Sequence, residues 1–113
     1  MRPPRRVVLL SESMGLTALL KYLLGASGTL TRFAGVREAA DQDGLGDADT
    51  VLLDLPRDGA GTTLAQLRHR YRGELIVLAD RGQASPEAAP DPAWTLLERP
   101  FQAADLGAAL GLP

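Results

Sequence analysis

The stretch Asp49-Thr50-Val51-Leu52-Leu53-Asp54-Leu55-Pro56 constrains the fold more than any other part of this chain. Val51, Leu52 and Leu53 run without alternation, and Pro56, Gly59 and Gly61 mark the loop that follows. A short run of this kind is a strand covered on both faces, which places it inside a parallel sheet flanked by helices. In such sheets ligands and chemistry collect beyond the carboxyl ends of the strands. Asp54 stands at that end, so it is either a reactive carboxylate or a group that holds its own loop.

The same pattern recurs along the chain. Val7 to Leu10 is a continuous apolar run, followed by Ser11-Glu12-Ser13, where either serine suits a helix cap. Leu16, Leu19, Leu20, Leu23 and Leu24 then fall at helical spacing, and Gly25 is a natural stop. A weaker strand covers Leu30 to Ala34, and a short helix covers Arg37 to Ala40 before fraying over Asp41 to Gly46. After the strand Val51 to Leu53, Leu64 and Leu67 mark a helix. Leu75 to Ala79 is the fourth strand, Thr95 to Leu97 the fifth, and Ala103 to Leu110 the last helix. Between Asp80 and Trp94 stand Pro86, Pro90 and Pro92, which leave room for one or two helical turns, so the fourth helix is expected to be short or lost. Strands alternating with helices at this length predict an α/β fold, a three-layer α/β/α sandwich with a five-stranded parallel sheet.

Bulk properties narrow the function classes. The 113 residues suit a single domain, 1–113, with a core over 7–110. A formal net charge of -2 gives no electrostatic case for nucleic acid or an anionic membrane. There is no Cys, so disulfides and thiolate metal sites are excluded. Arg2, Arg5 and Arg6 precede Val7 to Leu10 as in a signal peptide, but Ser11, Glu12 and Ser13 interrupt the apolar run at once. A cytoplasmic domain is the expectation.

The strand ends carry Ser11-Glu12, Asp54, Ala79-Asp80 and Glu98-Arg99-Pro100-Phe101, which brings Glu12, Asp54 and Arg99 to one edge of the sheet. With this order of elements, the chain from Val7 to Leu110 resembles the receiver domain of bacterial response regulators. That family has an acidic pair after strand one, a phosphorylated Asp after strand three, a Ser or Thr after strand four and a Lys-Pro after strand five. The resemblance implies strand order 2-1-3-4-5, with Asp54 at the phosphoacceptor position and Arg99 at the lysine position. It also implies a Mg²⁺ site, a hard-cation site that needs several oxygen ligands.

The departures are as informative as the matches. Ser11-Glu12 replaces the acidic pair, so the expected metal ligands reduce to Glu12 and Asp54, and Mg²⁺ binding is expected to be weak or absent. Asp80 lies near the same edge as a further carboxylate. Ala79 stands at the hydroxyl position and Leu96 at the aromatic switch position, which removes both parts of the family's relay. Arg99 keeps the lysine's charge and suits bidentate pairing with Asp54, though the two cations are not interchangeable.

Other features have structural readings. Gly59-Ala60-Gly61-Thr62-Thr63 resembles a phosphate cradle but lacks the lysine and spacing of a P-loop. Arg68-His69-Arg70-Tyr71-Arg72 reads as a solvated basic run that complements a helix dipole, and His69 is too remote from Ser11 for a hydrolase. Trp94 reads as a packing residue. The expectation is an atypical, non-enzymatic receiver-like module with no required cofactor, acting through protein contacts and independently of phosphorylation. Its partners would be a sensor kinase, an output domain or a second copy, with the family's usual face running from Ser85 to Leu110. Three alternatives stay open: a working receiver phosphorylated on Asp54 with Mg²⁺, the amino-terminal domain of a larger regulator or localisation ATPase, and a small-molecule-binding module.

Overall fold

The computed structural model describes residues 5–55, 60–83 and 94–112. The elements run β1 (Arg5–Leu10), α1 (Met14–Leu24), a 3-10 turn (Gly25–Ser27), β2 (Gly28–Phe33), α2 (Val36–Asp41), β3 (Thr50–Asp54), α3 (Ala60–Arg70), β4 (Glu74–Ala79), β5 (Thr95–Glu98) and α4 (Ala103–Ala109). The five strands form one sheet in the order β2-β1-β3-β4-β5, and every pairing is parallel. The expected short or lost helix between the fourth and fifth strands falls on residues 84–93, outside the described residues.

The unbroken apolar runs are explained by two separate cores. Side chains alternate across a strand, so Val8, Leu10, Val51, Leu53, Leu75, Val77 and Ala79 face one layer with Phe33, Val36, Leu64 and Leu67. Val7, Leu9, Leu52, Ile76 and Leu78 face the other, with Leu20, Leu24, Leu106 and Leu110. Trp94 and Leu96 pack at the margin of the first core, in the packing role expected for Trp94.

Local signals set the element ends. Ser13 is the N-cap of α1, its hydroxyl accepting from Leu16 N at 3.1 Å, and Gly25 ends the helix at φ +49°. Strand β2 begins at Gly28, two residues earlier than expected, because Gly28 and Thr29 pair with Arg5 and Arg6 while Thr29 and Thr31 stay exposed. A side chain at Gly44 would bring its Cβ within 2.4 Å of the Phe33 ring, so the α2–β3 connection needs a glycine there.

The basic run at the end of α3 corrects one expectation. His69, Arg70 and Arg72 are exposed, but Arg68 is only 1% exposed. Its Nη1 donates to Tyr71 O at 3.1 Å and Gly73 O at 2.9 Å, so it stitches the end of α3 to the start of β4. Arg68 follows Leu67 directly and shares its inward side, where the aliphatic stem is covered. Burial lowers its pKa below the ordinary arginine value, but a guanidinium stays charged at neutral pH. Arg68→Ala should cost about 2–4 kcal/mol in urea unfolding, since it removes two charge-assisted bonds and leaves the buried Tyr71 carbonyl without this donor.

Tyr71 closes the same corner by donating from its hydroxyl to Ala48 O at 3.2 Å. Burial, and then the charge of Glu74, raise its pKa above the ordinary 10.0. The unfolded phenol therefore ionises first. The stability contribution is complete below pH 10 and falls as pH climbs through the raised folded value. Tyr71→Phe should flatten the alkaline decline of stability, measured by denaturant titration on either side of that window.

Candidate functional site

The register aligns Leu10, Leu53, Val77 and Leu96 in one row across the sheet. Ser11 and Asp54 follow one residue later, so parallel topology delivers them side by side at the carboxyl edge. Ser11 donates its hydroxyl hydrogen to Asp54 Oδ2 at 2.6 Å. The same hydroxyl oxygen accepts from Ser13 N at 3.0 Å. Ser11 is itself buried, and its carbonyl accepts from Arg32 Nη1 at 2.9 Å.

Arg99 closes the other side of Asp54. Its Nη2 pairs with Asp54 Oδ1 and also donates to Leu78 O at 3.1 Å and Leu55 O at 3.3 Å. Its Nη1 reaches Asp80 Oδ1 at 3.1 Å. The backbone holds the residue in place, since Arg99 N donates to Ala79 O at 2.8 Å. The expected ion pair is therefore present, but the fork spans two carboxylates instead of gripping one. Asp80 sits one residue beyond β4, beside Arg99, and so takes the second arm. It acts as a partner of the arginine, where the sequence left it as a further carboxylate for a metal.

The remaining predicted residues fall around this pair. Ala79 is fully buried, and no hydroxyl stands at that position. Leu96 is half-buried against the first core. Glu12 is exposed and lines the same cleft as Asp54 and Arg99, a cavity of about 620 Å³. Thr63, Gln66 and Arg37 also line it; Thr63 belongs to the cradle-like stretch, while Gln66 and Arg37 lie on helices distant along the chain and carried no motif. Neither His69 nor Trp94 lines this cleft.

Among the described residues the donor set does not fit a divalent cation. Both oxygens of Asp54 are engaged by Arg99 and Ser11, and no three His, Cys, Asp or Glu side chains gather as metal ligands among the described residues. A guanidinium on one carboxylate oxygen repels a second cation brought to the same group.

The ion pair is partly buried, with side-chain exposures of 28% for Arg99 and 23% for Asp54. Arg99→Ala leaves two carboxylates and two strand-end carbonyls without their shared donor. It should cost about 2–4 kcal/mol, well above the ~0–1 kcal/mol of a surface pair. Equilibrium unfolding of the wild type and variant measures the difference.

No family model matches the chain, and no curated relative matches it by sequence. Solved structures do match in fold. The amino-terminal domain of the nisin resistance regulator NsrR, a lantibiotic response regulator, is 21% identical with a TM-score of 0.73, covering 96% of this chain and 97% of that one. A CheY-like response regulator receiver domain from Methylobacillus flagellatus is 18% identical with a TM-score of 0.72, covering 96% and 98%. The CheY-like protein TadZ from Pseudomonas aeruginosa PAO1 is 15% identical with a TM-score of 0.66, covering 95% and 97%. No helix among the described residues is long and apolar enough to cross a membrane. With its strand order, the edge that gathers Asp54, Ser11 and Arg99, and these matches along nearly its whole length, this chain has the fold of the response regulator receiver domain.

Proposed function

We propose that this chain is an atypical receiver domain, a non-enzymatic signalling module that works through protein contacts without phosphorylation of Asp54. The observation that carries this reading is the state of the carboxylate. One oxygen accepts the Ser11 hydroxyl and the other pairs with Arg99, so each is held by a donor that lowers its nucleophilicity toward a phosphoryl donor. Phosphoryl transfer depends on positioning and on neutralising charge around the transferred group. Here the guanidinium of Arg99 is already committed to Asp54 and Asp80.

The rest of the strand edge supports the same conclusion. Ala79 offers no hydroxyl to a phosphoryl oxygen, and Leu96 offers no aromatic ring to report its arrival. A modification shifts a conformational equilibrium only through differential interaction with the two states, and the groups that would supply that difference are missing. Mg²⁺ affinity in this reading is millimolar or weaker, and the partners are proteins, a sensor kinase or an output domain, in the cytoplasm. A second reading, an amino-terminal receiver domain of a larger regulator, is favoured by the NsrR neighbour, itself the amino-terminal domain of a regulator.

Intact-mass measurement after treatment with acetyl phosphate, with and without Mg²⁺, tests the proposal. The expected result is no phosphoryl adduct in either condition, and an Asp54→Asn variant with wild-type fold and partner binding. An adduct that requires both Mg²⁺ and Asp54 would overturn the proposal in favour of a working receiver.

A further inference from the structure

Two large apolar side chains are exposed among the described residues, and both lie on α1: Met14 at 66% and Tyr22 at 83%. Between them is Ala18, also exposed, four residues from each. Residues four apart sit one above another on a helix, so Met14, Ala18 and Tyr22 form a single ridge. Thr17, Leu20 and Leu24 are buried and face the sheet. Lys21 is the one charged residue of α1, it is exposed, and it lies in the last turn. Glu12, also exposed, stands two residues before the helix begins.

We infer that this ridge is a contact between two copies of the chain, α1 packed antiparallel on α1 about a two-fold axis at Ala18. A two-fold interface is isologous: if residue i meets residue j, then j meets i. The ridge satisfies that condition by its spacing. Met14 lies four residues before Ala18 and Tyr22 four residues after it, so each Met14 meets the other copy's Tyr22. Sulfur–aromatic contact is favourable, and it is made twice. At the centre Ala18 meets Ala18, where a small side chain lets the helices approach as ridges pack into grooves at about -50°.

Charge selects the same orientation. Antiparallel packing carries Lys21 of each copy toward the Glu12 end of the other, giving two opposite-charge pairs. Parallel packing would set Lys21 beside Lys21. A pattern that is its own complement in spacing and in charge specifies a second copy as the occupant. The contact is weak by area. One helix of this length is about 16 Å long, and its ridge supplies roughly half of the ~800 Å² per partner of a standard interface. Association should therefore appear only toward millimolar concentration. Glu12 also lines the Asp54 cleft, so pairing occupies the exposed carboxylate of that site. The inference does not rest on the chemistry of Asp54.

Sedimentation equilibrium of the full chain, from micromolar to about millimolar concentration, reads the association constant. A monomer–dimer equilibrium is expected, and Tyr22→Ser should weaken it at least tenfold. Glu12→Lys and Lys21→Glu should each weaken it, and the two together should restore it to near the wild-type value. All three positions are exposed, and circular dichroism verifies that each variant is folded. A chain that stays monomeric at millimolar concentration overturns the inference. So does a dimer indifferent to Tyr22→Ser, which would place the contact on another face, or a double charge swap no better than its single members.

Discussion

The guanidinium of Arg99 is the interaction on which the carboxyl edge of the sheet depends. Parallel topology ends every strand on the same side, and here that side collects acceptors: the carboxylates of Asp54 and Asp80 and the carbonyls of Leu55 and Leu78. Acceptors alone repel one another and cannot be buried without donors. Arg99 supplies all four from two nitrogens. A lysine ammonium is a compact point charge, whereas the planar fork presents donors far enough apart to span two carboxylates. The link also ties β3, β4 and β5 together beyond the last ladder bonds. This edge is therefore built around an arginine, and an arginine-to-lysine exchange there would not be conservative.

Ser11 completes the enclosure from the β1 side, and the energetic consequence falls on Asp54. Presenting a carboxylate oxygen at its full nucleophilicity to an incoming phosphoryl group means giving up the bond that oxygen now makes. Hydrogen bonds to charged groups contribute about 1.5–3 kcal/mol each. Each 1.36 kcal/mol added to a barrier is a tenfold loss of rate, so freeing Asp54 imposes roughly a ten- to hundredfold penalty per bond before chemistry begins. The carboxylate is held in place from both sides, by Ser11 and by Arg99.

What the sequence disclosed and what it concealed divide along physical lines. The central strands were legible because Val51 to Leu53 and Leu75 to Ala79 are apolar on both faces, and short runs of that kind alternating with helical patterns fit covered parallel strands. The nearness of Asp54 and Arg99 was legible for the same reason, since parallel register brings strand ends together whatever their separation along the chain. The start of β2 was hidden because Gly28, Thr29 and Thr31 bury little and pair through the backbone. Arg68 was hidden because charge patterning reads a basic run as one solvated face, while helical geometry turned a single member inward. The split fork of Arg99 was hidden because it depends on where the Asp80 side chain lies, and a loop residue carries no periodicity to announce that.

The strand-end carboxylate and the start of α1 are physically joined. The Ser11 hydroxyl donates to Asp54 and accepts from Ser13 N, and the Ser13 side chain caps the first turn of α1 through Leu16 N. Three short bonds thus lead from the strand-end carboxylate to the start of the helix that carries Met14 and Tyr22. On the β4–β5 side the side chains of Ala79 and Leu96 carry no polar group, and the link there is Arg99, which joins Asp54 to Asp80 and to the carbonyls of Leu55 and Leu78. A change in the charge of Asp54 would be felt at both ends of this network, because polar groups at the N-terminus of α1 and the guanidinium at the end of β5 must each re-satisfy their bonds.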